Sequence, residues 1–386
     1  MENITGPNID NVTFIDTVLP FCNICLGNTD PAYQTYNIIV SGTILFLVGC
    51  IGLLGNILVV SVYSSPTQRR NSTAIYLCAL GCSDFCMICT AMFLFVLEAW
   101  RHHGHPTLAY LYGMGAPLVF PLGAVFQTTS VYFCIGAAVD CFIAVVLPTA
   151  CRQLCCTPKR AKLVVMVMAC ICCLYNIPHF LEIETVRCIG NSGVESLQIC
   201  PTSIRMDPIY YTVYYTYMYT TFLAVGPLLL LIVLNICVVF TVVCKRPRGR
   251  QPVPTTDDLD DSEQFDTEAD SAGDDTISLI LVVFFFIFSN FTALLINFLE
   301  LTLYEQLKHV IVYLVDMSNL LVVCNCTVNF FVYLTFGKTF RSTLKEILGF
   351  KPALKPLTAK STNLVWHGET SGTNCVVVTA PTNGDV

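Results

Sequence analysis

Charge is what this chain has least of. Of its 386 residues, 12% are Asp, Glu, Lys or Arg, about half of the roughly 25% in an ordinary soluble domain. Most side chains therefore face something other than water, and 54% are apolar. A strand-period alternation of apolar and polar residues is missing too, which excludes an outer-membrane barrel. What is present is a set of seven apolar stretches, at roughly 37–63, 73–97, 108–139, 161–181, 210–244, 276–303 and 309–335. A helix needs about 20 residues to cross a bilayer, and it satisfies its backbone internally where no water can. The expected fold class is all-α, a bundle of seven transmembrane helices.

Other absences narrow the function. No lysine lies deep in a span, so a retinal-bearing light sensor is excluded. No His, Cys and Glu residues have metal-ligand spacing and no glycine-rich phosphate loop occurs, so the chain is not read as an enzyme. No internal repeat of the kind that builds transporters is visible. Lys and Arg are scarce on one side of the membrane. With the N-terminus outside, sixteen of the 20 fall in inner segments: Arg69 and Arg70, then Arg152 to Lys162, Lys245 to Arg250 and Lys338 to Lys360. Only Arg101, Arg187, Arg205 and Lys308 fall outside. The positive-inside rule selects this orientation, giving a multi-pass plasma-membrane protein with an extracellular N-terminus.

Residues 1–36 form the outer N-terminal segment. It has no signal-peptide core and carries glycosylation sequons at Asn3 and Asn11. The membrane domain runs over 37–348, interrupted by an inner loop at 245–275. That loop opens basic, turns strongly acidic from Asp257 to Asp275 and is expected to lack structure. It is the main source of the net charge of −7, and no nucleic-acid partner is expected. Phe336 to Leu348 reads as an amphipathic helix along the inner leaflet, with Phe336, Phe340, Leu344 and Ile347 on one face. The tail, 349–386, is rich in Ser, Thr and Pro and is expected to be disordered. Most of the 22 cysteines lie in spans, and only Cys22, Cys25, Cys188 and Cys200 lie outside. Cys151, Cys155 and Cys156 sit at an inner helix end, either S-acylated or free and packed.

Polar groups at bilayer depth are costly and are functional candidates by default. Asn56, Asp84, Ser130, Asn319, Asn325, Asn329 and Tyr333 are such groups. Asp84, with Ser130, Asn325 and Asn329 supplying neutral oxygens, suits a small cation such as sodium; a packed neutral network is the alternative. Near the outer helix ends stand Glu98, Glu182, Glu300 and Asp316, with Gln127, Tyr210, Tyr211, Tyr214, Tyr215, Asn297 and Phe298. Carboxylates suit an arginine fork and aromatic rings suit both rings and guanidinium, so a short cationic peptide is the expected ligand. An ordinary interfacial tyrosine belt is the competing reading.

The ordered set Gly55-Asn56, Leu80 with Asp84, Asp140 with Ile143-Ala144-Val145 and Pro148, Pro227, and Asn329 with Tyr333 resembles rhodopsin-like G protein-coupled receptors. Tyr175-Asn-Ile-Pro178-His-Phe-Leu-Glu182, Pro201-Thr-Ser-Ile-Arg205, Asn297-Phe-Leu-Glu300 and Asp316-Met-Ser-Asn319 are similar to invertebrate FMRFamide-type neuropeptide receptors. The resemblance implies an amidated neuropeptide as ligand and a heterotrimeric G protein as partner, with membrane lipid around both. It also implies that sodium at Asp84 favours the resting state.

Departures accompany the likeness. Where the family has Asp-Arg-Tyr at its transducer face, this chain has Asp140-Cys141-Phe142. The missing arginine favours weak or unusual coupling, and leaves open a non-signalling receptor: a scavenger, a decoy or a partner of another receptor. Ala116 stands where the family's cysteine staples the second outer loop. A Cys188–Cys200 bridge closing that loop is therefore expected, with a link from Cys22 or Cys25 as its rival.

Overall fold

Asp30 and Pro31 start the first helix. The Asp30 carboxylate accepts the backbone N–H of Ala32 at 3.1 Å, and proline at the first helical position supplies the φ that a helix needs. The structure is a computed structural model that describes residues 19–22, 30–101, 106–189, 195–245 and 259–350; over 259–308 the side chains are described at some positions only. Asn3, Asn11, Cys25, most of the N-terminal segment and the tail from Lys351 lie outside the described residues, as do the side chains of Asn297 and Glu300.

Among the described residues, six helices are long and apolar enough to cross a membrane: Pro31–Tyr63, Ser72–Arg101, Thr107–Val146, Pro158–Leu181, Pro208–Val242 and His309–Phe336. The stretch 276–303 lies in the helix Leu259–Phe336, which leaves helical geometry at Leu303 (φ −124°, ψ 17°). That break separates a sixth spanning segment from the seventh. The helix begins at Leu259, so the later part of the acidic loop is helical rather than structureless; carboxylates near a helix N-terminus are favoured by its dipole. The first helix starts at Pro31, six residues before the apolar run, because its outer turns are polar. Below, "outer" denotes the side that carries the N-terminal segment and "inner" the opposite side.

The third helix is central and packs against the second, fourth and fifth. Glycine permits the closest approach, between the first and seventh helices. A Cβ on Gly52 would stand 2.3 Å from Thr327 Oγ1, and one on Gly55 2.9 Å from the Phe330 side chain. Asn56 Nδ2 ties the same two helices by donating to the carbonyls of Gly52 (2.9 Å) and Cys326 (3.0 Å). The inner half of the core gathers around Tyr333, with Val59, Leu80, Cys134, Ala138 and Phe340 among its buried members. Leu54, Leu163, Met166 and Phe240 stay more than 60% exposed, as a lipid-facing surface requires.

Three π-helical stretches, Val40–Ile44, Met92–Val96 and Tyr211–Val225, widen the outer halves of the first, second and fifth helices. Single π turns are commonly found at functional sites. The second outer loop adds the one β element among the described residues. Strand β1 (Ile183–Ile189) pairs antiparallel with β2 (Glu195–Pro201), in register Ile183 with Pro201 and Ile189 with Glu195. After the seventh helix, Lys338–Ile347 forms a short helix that buries Phe340 and Leu344 and exposes Ile347. The amphipathic helix expected over Phe336 to Leu348 is thus present but shorter: Phe336 ends the seventh helix, and the extended Gly337 separates the two.

Cys22 is bonded to Cys188, across 166 residues with the Cα atoms 4.9 Å apart. The expected Cys188–Cys200 bridge is thereby corrected. In the hairpin register Cys188 faces Ser196, not Cys200, which puts the two thiols on different rungs. Cys200 is disulfide-bonded too, to a residue other than Cys188. The N-terminal segment is also held by backbone bonds: Ile189 N donates to the Pro20 carbonyl (2.8 Å) and Cys22 N to the Ile189 carbonyl (3.0 Å).

Candidate functional site

The outer end of the bundle carries two acidic groups of different character. The first is Glu182, fully buried where the fourth helix passes into the hairpin. Its carboxylate accepts the hydroxyls of Tyr210 (2.6 Å) and Tyr215 (2.5 Å) and pairs with the Arg205 guanidinium at 3.1 Å. His179 Nδ1 stands 2.9 Å away, within ion-pair range but outside hydrogen-bond geometry. Burial alone would raise the Glu182 pKa; the contacts with His179, Tyr210 and Tyr215 outweigh it and hold the carboxyl near 2. Glu182 is therefore already satisfied from within. It joins the hairpin to the fourth and fifth helices, helped by Thr202, whose N–H and hydroxyl donate to the carbonyls of Glu182 (2.9 Å) and Leu181 (2.6 Å). Tyr210 stacks on Tyr214 at 5.3 Å and Tyr211 on Tyr215 at 5.5 Å. Arg205 lies over the rings of Phe120 and Tyr215, so these aromatics form a built wall.

The second group joins the first, second and seventh helices. Asp316 is 6% exposed and accepts Asn37 Nδ2 at 3.0 Å and the Tyr33 hydroxyl. Its partners are neutral; no ion pair links it to a cation among the described residues. Tyr36 donates to the Tyr313 carbonyl at 3.0 Å and packs edge-on to that ring. Glu98 is near enough to repel the Asp316 charge. It is bound by Arg101 through both carboxylate oxygens, at 2.5 and 2.7 Å, and Arg101 lies 4.8 Å from the centre of the Tyr112 ring. Gln127 is half-buried on the third helix. Tyr33, Asn37 and Arg101 were not among the residues singled out from the sequence. The Asp30-Pro31 helix start was the available signal that Tyr33 and Asn37 share one helical face.

Midway down, Asp84 is fully buried and accepts Ser130 Oγ (2.6 Å) and Asn329 Nδ2 (2.7 Å). The side-chain oxygens of Asn325, Asn329 and Tyr333 are buried without a partner among the described residues. Such oxygens cost free energy unless something supplies positive charge or a donor, and a carboxylate with unpartnered oxygens fits a small cation.

The inner end opens into a cavity of about 600 Å3 lined by Arg70, Asp140, Cys141, Arg152, Tyr333 and Phe340 among others. Asp140 is buried and accepts the hydroxyls of Ser72 (2.8 Å) and Thr73 (2.6 Å). These open the second helix, whose N-terminal dipole also favours the negative charge. A helix start thus takes the place of the absent arginine beside Asp140. Cys141 is buried and lines the cavity, whereas Phe142 packs against the inner core.

The chain is similar to receptors. Residues 55–333 match the model of the 7 transmembrane receptor (rhodopsin family). The probable G-protein coupled receptor frpr-1 of Caenorhabditis elegans is 36% identical over 81% of this chain and 80% of its own length. The FMRFamide receptor of Drosophila melanogaster is 32% identical over 78% of this chain, which spans only 52% of that relative. The FMRFamide peptide receptor frpr-18 of Caenorhabditis elegans is 28% identical over 79% of this chain and 68% of its own length. Seven apolar spans, the buried polar residues along them and a family match over most of the bundle lead to one conclusion: this chain is a multi-pass membrane protein that belongs to the rhodopsin family of seven-transmembrane receptors.

Proposed function

We propose that the receptor binds a short cationic peptide with an amidated C-terminus at its outer end and passes the signal to a heterotrimeric G protein at its inner end. The carrying observation is Asp316, a buried carboxylate met, among the described residues, by neutral donors. A charge in that position is costly, and a ligand guanidinium or ammonium relieves it. The charge on Asp316 makes the same space unfavourable for a free peptide carboxylate, whereas a C-terminal amide carries no charge to repel. The names of the Drosophila and Caenorhabditis relatives agree with a peptide of this chemistry. In the plasma membrane the N-terminus faces out, supported by the excess of inner Lys and Arg and by the Cys22–Cys188 bridge on the outer side. Glu98, Asp316, Tyr33 and Asn37 hold the ligand; Gln127, Tyr211, Asn297 and Glu300 are further contact candidates, and the Glu182 cluster shapes the opposite wall. The test is G protein activation in cells bearing the receptor and challenged with short amidated peptides that end in arginine and an aromatic residue. Activation is expected; silence across the panel, with the receptor at the cell surface, would count against the proposal.

Asp84, Ser130, Asn325 and Asn329 would hold a sodium ion, which supplies compensating charge to Asp84 in whichever receptor state fits it. Asp84→Asn is expected to remove any sodium dependence of peptide affinity, read by competition binding in sodium against N-methylglucamine buffers. A sodium effect of unchanged size in that variant would take Asp84 out of the site.

The inner end supports a second reading, a receptor that couples weakly or not at all. Cys141 has neither the charge nor the reach of an arginine, and Asp140 is already bound by Ser72 and Thr73. Cys141→Arg is expected to raise basal or peptide-driven nucleotide exchange. Strong exchange in the unaltered receptor, untouched by the substitution, would show that position 141 does not set coupling.

A further inference from the structure

We infer that Cys151 and Cys155, on the short inner helix Thr149–Cys155, carry long-chain fatty acyl groups in thioester linkage. This helix begins just after the third spanning helix ends at Val146 and stops just before the fourth begins at Pro158, so its two ends keep it at the membrane surface. None of its residues is buried; it lies outside the bundle core. Cys151 and Cys155 are exposed free thiols spaced i and i+4, on one face of the helix. Leu154, 60% exposed, stands three residues from Cys151 on the same side of the helix, and Leu147, 38% exposed, precedes the helix beyond the extended Pro148. Arg152, Lys159, Arg160 and Lys162 surround it with positive charge, which anionic lipid headgroups attract. Arg160 donates to the Leu154 carbonyl and holds the last turn in place. Exposed thiols, exposed leucines and cationic side chains together make a surface that rests on a bilayer, and cysteines in this juxtamembrane setting are substrates for acylation. One acyl chain anchors only marginally, whereas two, or one with a basic patch, anchor stably.

Cys156 differs. Its thiol is directed to the Asp140 carbonyl at 3.7 Å and lines the inner cavity. Burial, and then the nearby Asp140, push its pKa up to about 11, so little thiolate is present at neutral pH. In the reaction, the sulfur of Cys151 or Cys155 attacks the carbonyl carbon of a long-chain acyl-coenzyme A. The new carbon–sulfur bond forms as the bond to the coenzyme A sulfur breaks, and the cysteine proton leaves with the coenzyme A thiol. No oxidant or reductant is needed. The modified helix is then pinned to the inner leaflet beside the cavity that Cys156, Asp140 and Arg152 line.

The inference rests on this loop facing the cytoplasm, as proposed above. The test is acyl exchange on the full-length receptor from cells: free thiols are blocked, thioesters are cleaved with neutral hydroxylamine, and the released thiols receive a mass tag. An N-terminal epitope stained on intact cells reports orientation and surface level in the same samples. The unaltered receptor is expected to carry hydroxylamine-dependent tags, Cys151→Ser/Cys155→Ser to lose two of them, and Cys156→Ser to lose none. A full set of tags in the double variant, or no tags on the unaltered receptor while the epitope stains outside, would overturn the inference.

Discussion

Replacing Arg205 with alanine is expected to destabilise the receptor by about 3 kcal/mol, the lower end of the loss when a buried charge loses its partner. Glu182 has no exposed side-chain surface, while Arg205 keeps 37% of its own, so water already screens the arginine and the lower figure applies. Without Arg205, the Glu182 carboxylate keeps, among the described residues, the Tyr210 and Tyr215 hydroxyls and the contact with His179. Adding Glu182→Gln to Arg205→Ala removes the stranded charge and should recover part of the loss; thermal unfolding of detergent-purified receptor checks both. Equal midpoints for the two variants would mean that the charge is not what the cluster exists to hold. The pH dependence has a definite sign. The folded pKa of Glu182, about 2, lies below the usual value of 4.5, so its contribution is fully present above pH 4.5 and fades only as the pH falls toward 2. Stability between pH 5.5 and 7.5 should therefore not vary through this residue.

Asp316→Asn is expected to weaken a cationic peptide agonist by about 10- to 100-fold, since a hydrogen bond to a charged group contributes roughly 1.5–3 kcal/mol. Asparagine keeps the shape and an acceptor for Asn37, so the site should stay folded. Glu98→Gln should weaken binding less, because Glu98 is already engaged by Arg101 and the ligand would have to compete for it. Saturation binding with matched surface expression separates the two variants. A larger loss at Glu98 than at Asp316 would move the cation anchor to the second helix.

How much of this was visible beforehand depends on the distance over which each signal acts. Hydropathy is a sum over some 20 residues and marked the spans; the amphipathic helix after the seventh span showed itself as well, since Phe340, Leu344 and Ile347 recur at helical spacing. Side-chain pairing is not such a sum. Glu182 and Arg205 both stood out in the sequence, in Pro178-His-Phe-Leu-Glu182 and Pro201-Thr-Ser-Ile-Arg205, yet nothing local says that they bond to each other. That follows from the hairpin register, which sets Ile183 against Pro201. The disulfide is hidden from the sequence for the same reason: Cys188 and Cys200 are near in sequence, but strand pairing puts Ser196 opposite Cys188 and leaves its thiol for Cys22. Asp316 drew notice as an acidic residue near a helix end, but its neutral surroundings, Tyr33 and Asn37, come from the other end of the chain.

Recognition of a cationic peptide with an uncharged C-terminus by Asp316, which has no ion pair among the described residues, is tested most directly by one paired measurement. Two peptides, identical in sequence and ending in arginine and phenylalanine, differ only in a C-terminal amide or a free carboxylate, and their affinities for the purified receptor are compared. The amide should bind at least about 10-fold more tightly, corresponding to some 1.4 kcal/mol of avoided repulsion, and the gap should narrow in Asp316→Asn. Equal affinities for the two peptides, or a gap that Asp316→Asn leaves unchanged, would contradict it.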